Sequence, residues 1–295
     1  MIATIESSRI WSNGAAQSAG VELAAQALTE DGVVIIQGVV DRRHVQMLRE
    51  RMLEDLDGLS GDPDPPVQFA HGHLQQDPPP FDPYLFDDIL QPPAVIAVTT
   101  AVLGGEARNA LYSGNTNLPG SLPQPIHVDW GQLWAGLGVA HRACSLVVNV
   151  PLVDMHRDNG STELWPGSHQ DTLMSIRSDS TQVPTWAVAA RRLRRPPLQP
   201  EVSAGSILLR DMRLWRRGMP NRTTRPRPML AMIHHASWIR CAPMRLPPES
   251  IPAFRRSGAF AHDVLADDGA RASYLVRNHA YLPKPAEGQR EVATR

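Results

Sequence analysis

Gln124-Pro-Ile-His127-Val-Asp129-Trp-Gly-Gln132-Leu-Trp134 is the stretch on which the reading of this chain turns. Its residues alternate as in a strand, and a period of two puts the side chains of His127 and Asp129 on the same face. An imidazole and a carboxylate projecting together from one strand supply two of the three positions of a facial metal site. Alone, the His-x-Asp spacing is weak, because polar residues at a strand edge produce it by chance. Its neighbours give it weight.

Pro119-Gly120-Ser121 precedes this stretch. Asn159-Gly-Ser-Thr-Glu163-Leu-Trp-Pro166-Gly167-Ser168-His169, Trp215-Arg216-Arg217-Gly218-Met-Pro-Asn221 and Arg225-Pro-Arg227-Pro-Met follow it in order. Taken together, these motifs resemble the phytanoyl-CoA dioxygenase family, from about Leu28 to Trp238. The resemblance implies an Fe(II)- and 2-oxoglutarate-dependent oxygenase. It also implies a mainly β fold, a double-stranded β-helix (jelly roll, cupin-like) with N-terminal helices packed on the barrel. His127 and Asp129 are then the metal ligands. Arg227, eleven residues beyond position 216, matches the arginine that holds the far carboxylate of 2-oxoglutarate. A guanidinium fork suits that carboxylate because it offers parallel donors and keeps its charge. Gln124 and Asn115 are further candidate cofactor-binding donors.

One position departs from the family pattern. Where the resemblance implies a second iron-binding His, in a Trp-His-Arg-Gly run, this chain has Trp215-Arg216-Arg217-Gly218. A guanidinium is a donor without a lone pair, so Arg216 is no ordinary metal ligand. Three readings stay open. Iron binds through His127 and Asp129 alone, with 2-oxoglutarate completing the site; or Arg216 sits where the metal would be, paired with Asp129; or His234 or His235 replaces the lost ligand. The first gives an oxygenase that oxidises a small apolar molecule in natural-product metabolism. The second admits a redox-neutral lyase, isomerase or cyclase, with Arg216 as a candidate catalytic residue, or a non-catalytic partner of an active relative.

The chain has 295 residues and a formal net charge of -1. That balance argues against a nucleic-acid footprint and leaves a small molecule as the expected substrate. Two cysteines, Cys144 and Cys241, are too few for a disulfide framework and are read as reduced packing residues. The opening residues lack the basic start and apolar core of a signal peptide, and no apolar run nears the ~20 residues that span a bilayer. A soluble cytoplasmic protein with no membrane partner is expected, with a homodimer left open.

A single domain is expected, with a helical section and loop over 21–110, a β core over 111–240 and an extension over 241–295. Residues 1–20 read as loosely ordered. Apolar spacing predicts helices over Val21–Leu28, from an Asp41 N-cap onward, and over Ile89–Leu103. The Gly-, Pro- and Asp-rich run 58–83 reads as a long loop suited to a lid, with His71 and His73 exposed in it. Strands are expected at Val33–Ile36, Asn109–Ser113, Pro125–Trp130, Ser145–Val150, Ser206–Leu209 and Met229–Trp238. Asn149, Asn159, Gly160 and Gly167 read as turn residues, Glu163, Trp165 and His169 as the frame of a pocket mouth, and Trp130 and Trp134 as core or cavity lining. Arg191–Arg195 reads as an exposed basic loop.

Overall fold

The computed structural model describes residues 1–60, 65–256 and 260–276. Its centre is the strand Arg227–His235, buried along its whole length. Antiparallel neighbours flank it, Arg108–Asn117 on one side and Ser145–Pro151 on the other. Ile207–Asp211, Val33–Gln37 and Thr4–Glu6 continue the sheet beyond Ser145–Pro151. Arg108–Asn117 also takes His73–Gln75 and Ala261–His262, which makes eight strands. The fold is therefore sheet-dominated.

Alternation sends each strand's residues to two different environments. Leu209, Leu230, Met232 and Val148 join Leu28, Leu48, Met52, Val95 and Val98 of the helices Ser18–Glu30, Arg42–Ser60 and Pro93–Leu103 in one large core. Burying each such side chain stabilises the fold by about 1.5–3 kcal/mol. Leu208 and Met229 face the other way, into a smaller cluster with Met155, Leu164 and Leu214.

Over that second face lies a ladder built mostly of single bridges. Leu198 pairs with Leu164, Leu164 with Arg216, Arg216 with His127, and His127 with Gln182. The stretch Pro125–Trp130 is thus one bridge in a ladder rather than the regular strand expected, because Pro125 and the turn after Asp129 interrupt its pairing.

Several other expectations need correction. Residues 1–20 are ordered by the parallel pairing of Thr4–Glu6 with Ile35–Gln37 and by buried Ile5 and Ile10. Pro92 and Pro93 divide the third predicted helix into Asp87–Leu90 and Pro93–Leu103, since proline cannot continue a helix from within. The basic run closes the helix Thr185–Arg194. There Arg191 lies over the Trp215 ring and Arg192 over Trp165. Asp41 does cap its helix, accepting from the Arg43 N–H at 2.7 Å.

Candidate active site

His127 and Arg216 exchange both backbone hydrogen bonds at 2.9 Å, so residue 216 lies directly across from residue 127. The imidazole is held by Nδ1, which donates to the Pro125 carbonyl at 2.8 Å. That bond fixes the tautomer and leaves the lone pair on Nε2, which is buried and has no hydrogen-bond partner among the described residues. Nε2 lies 3.9 Å from Asp129 Oδ1, so the two side chains do share a face. Burial, reinforced by Arg216, pushes the His127 pKa down to about 3 and keeps the ring neutral. Phe69, in a left-handed backbone conformation (φ 62°), stacks on the ring with centroids 4.2 Å apart.

Asp129 is clamped from both sides. Its Oδ1 accepts from Arg216 Nε at 3.0 Å and from Arg216 Nη2, and its Oδ2 lies 2.6 Å from Arg210 Nη2. Burial alone would raise this carboxyl's pKa, but the guanidiniums of Arg210 and Arg216 outweigh it and hold Asp129 well below the usual carboxylate range. Arg210 comes from the strand Ile207–Asp211, where Nε also donates to Asn149 Oδ1 at 3.3 Å. Sequence reasoning missed Arg210, although an arginine in the apolar run Ile207-Leu-Leu-Arg210 is a buried cation in need of a partner. Beside the clamp is a cavity of about 20 Å³, lined also by Asn115, Asn149, Thr162, Met155 and Met229.

The other predicted residues divide. Asn115 lines the cavity. Arg227 is fully buried next to it. Its Nε donates to the Asn159 carbonyl at 3.2 Å and its Nη1 meets the sulfurs of Met155 and Met229. No carboxylate pairs with Arg227 among the described residues, and burial lowers its pKa to about 10. Gln124 is engaged at both ends of its amide, accepting from the Gly218 N–H at 2.8 Å and donating to the Gln68 carbonyl at 3.0 Å. It braces the loop that carries Phe69.

His73, expected to be exposed, is buried in the strand His73–Gln75. Its Nε2 donates to the Leu122 carbonyl at 2.7 Å, and burial lowers its pKa to about 4 with smaller contributions from Arg227 and Arg216. His235 shares the face of Arg227 but bonds Ser145 Oγ at 2.7 Å and packs against Trp130, while His234 meets Thr99. Neither histidine replaces the missing ligand. His169 bonds the Thr29 carbonyl, away from Asp129. Glu163 pairs with Arg217, and Trp134 is 56 % exposed. Asn149 stands in a strand rather than a turn, whereas Gly160 and Gly167 do have positive φ.

Gly218 explains the end of the Trp-Arg-Arg-Gly motif. A Cβ there would lie 2.5 Å from His73 Cε1 and 2.9 Å from Gln124 Oε1. Gly218→Ala is expected to cost about 1–3 kcal/mol by overpacking, read as a lower urea midpoint at unchanged slope. An unchanged midpoint would mean that the contact relaxes at no cost.

This arrangement does not fit an iron centre. His127 Nε2 has the uncommitted lone pair and anchored ring that a metal ligand needs. Asp129, however, has both oxygens engaged by guanidiniums, and position 216 presents a cation where a third donor is required. Among the described residues, no group of three His, Cys, Asp or Glu side chains converges as a metal site.

Comparison with solved structures finds the same fold in AviO1 from Streptomyces viridochromogenes Tue57. The TM-score is 0.53 at 19 % identity, covering 75 % of this chain and 97 % of that one. It is also found in the non-heme alpha-ketoglutarate dependent carbocyclase SnoK from nogalamycin biosynthesis. There the TM-score is 0.54 at 18 % identity, covering 73 % of this chain and 84 % of that one. No helix among the described residues is long and apolar enough to cross a membrane. The sequence model for phytanoyl-CoA dioxygenase (PhyH), a family of Fe(II)- and 2-oxoglutarate-dependent enzymes, matches residues 28–229, and the chain belongs to this family.

Proposed function

We propose that this enzyme transforms a small organic molecule in specialised metabolism by redox-neutral proton transfer, without iron. The observation that carries the reading is the double clamp on Asp129. With both carboxylate oxygens engaged by Arg210 and Arg216, the charge that would hold a divalent metal is already neutralised inside the protein. We read the large sheet and the opposed ladder as the two halves of a double-stranded β-helix in a single domain, with the reaction cavity between them. In that setting Asn115, Thr162 and the guanidiniums bind and orient the substrate, and Phe69 excludes water from His127. Neutral His127 is the candidate proton acceptor. A bound anion that offsets Arg216 raises its basicity towards the working range. The likeness to SnoK, a carbocyclase from nogalamycin biosynthesis, is compatible with a natural-product substrate.

A second reading, an oxygenase that oxidises a small apolar molecule, is favoured by the uncommitted Nε2 of His127. In that case Arg216 must first release Asp129. When bound, iron with 2-oxoglutarate would supply the oxidant. His127 and Asp129 would hold the metal, with Arg227 and Asn115 as the candidate residues for the co-substrate. An anaerobic Fe(II) titration with and without 2-oxoglutarate distinguishes the two. Less than about one tenth of an iron per chain is expected for the native protein, with binding gained in Arg216→His. Near-stoichiometric iron that tightens with 2-oxoglutarate would overturn the iron-free reading.

A further inference from the structure

The cavity beside Asp129 carries more positive than negative charge. Arg210 and Arg216 line it, and Asp129 is the one acidic residue in its lining. Arg227 adds a third buried guanidinium behind Met155 and Met229, with no carboxylate partner among the described residues. On the lining Asp129 therefore faces two guanidiniums, while Arg227 behind them meets no carboxylate among the described residues, and a buried cation left unbalanced is costly unless an anion meets it. The donors are also available. Arg216 commits Nε and Nη2 to Asp129, and Nη1 has no hydrogen-bond partner among the described residues. The Asn115 amide and the Thr162 hydroxyl, both on the lining, make no side-chain hydrogen bond among those residues.

We propose that Arg216, supported by Arg210, takes over the anchoring role a metal would have, making the cavity a metal-independent receptor for the carboxylate head of a small organic acid. This inference rests on the iron-free reading above and names its substrate class. A carboxylate is preferred because its planar pair of oxygens matches a guanidinium edge flanked by amide and hydroxyl donors. The free room of about 20 Å³ also suits a head group rather than a whole ligand. Nothing in the anchoring requires a bond to form or break.

The test uses the full chain, treated with EDTA, with succinate as probe, succinamide as its neutral counterpart and inorganic phosphate as a second anion at matched ionic strength. Calorimetric titration and thermal shift are expected to show saturable succinate binding in EDTA and none for succinamide. Arg216→Gln, which leaves Asp129 paired with Arg210, is expected to weaken succinate at least tenfold while its circular dichroism stays native. Arg216→Lys, which keeps the charge but loses the fork, should retain only part of the affinity. Succinate binding that is absent in EDTA, appears only with Mn(II), or is unchanged in Arg216→Gln would overturn the proposal, as would phosphate binding equal to succinate. If the iron titration gives no iron and succinate still fails, this inference falls and the iron-free reading stands. If iron binds stoichiometrically, the reading beneath it falls.

Discussion

Asp129→Ala is expected to destabilise the fold by about 3–5 kcal/mol, the cost of removing one side of a buried ion-pair network. The reason is asymmetry. Asp129 is the shared partner of Arg210 and Arg216, so its loss takes from two guanidiniums, one buried and one largely so, the carboxylate between them. Arg216→Met is expected to cost less, about 1–2 kcal/mol, because Asp129 keeps its contact with Arg210 and gives up only the hydrogen bonds from Arg216. The double variant should be more stable than the two single costs sum to, since removing Arg216 relieves one of the stranded cations. Urea denaturation at neutral pH, with the slope checked for constancy, measures all three. Asp129→Ala within 1 kcal/mol of the native protein would mean that the cluster is solvated and does not hold the fold. EDTA lowering the native protein to the level of Asp129→Ala would mean that a metal, not Arg216, neutralises the carboxylate.

The sequence carried the site's two anchors and its anomaly, but not its balance of charge. His127 and Asp129 were legible because alternation over three residues is a local property, and position 216 because it sits inside a recognisable run. Arg210 was not, since nothing local says that a residue 81 positions away will reach Asp129. Only the sheet register, which sets Leu208 and Arg210 on the cavity face and Leu209 on the helix face, places it there. His73 failed for the opposite reason. Its surroundings are rich in Gly, Pro and Asp, which is how a loop reads, yet three residues of that run add to the edge of Arg108–Asn117 and bury the ring. Gln124 reads as a free donor in the sequence, but its partners are the backbones of Gly218 and Gln68, one 94 and the other 56 positions away. Long-range pairing decides these cases, and composition is blind to it.

That same burial of histidines is expected to make the protein acid-labile. Among the described residues six of them are buried with lowered pKa values, His169 among them, and five are lowered far: His127 and His234 to about 3, and His73, His235 and His262 to about 4. Burial is the largest cause in each case, joined by Arg216 at His127 and by the neighbouring His262 and His235 at His234. The unfolded chain titrates these groups near the ordinary value of about 6.5. Between about pH 6.5 and pH 4 it therefore binds protons that the native state refuses, and the equilibrium moves towards unfolding as pH falls. Each histidine contributes a loss of about 2 kcal/mol at pH 5, so five remove about 10 kcal/mol, comparable to the whole stability of an ordinary domain. Asp129 adds to the loss only below about pH 4, where unfolded carboxylates begin to protonate. A melting temperature that is level from pH 8 to 7 and falls steeply from 6.5 to 5 is the expected result. Uptake of about four to five protons on unfolding near pH 5 should accompany it. His127→Gln should remove about one fifth of the slope, because His234, His235 and His262 are not part of the Asp129 cluster and keep their own shares. A melting temperature that stays level down to pH 5 would mean that these rings gain protons in the folded state, and His127 would then be charged rather than the neutral acceptor the proposed reaction needs.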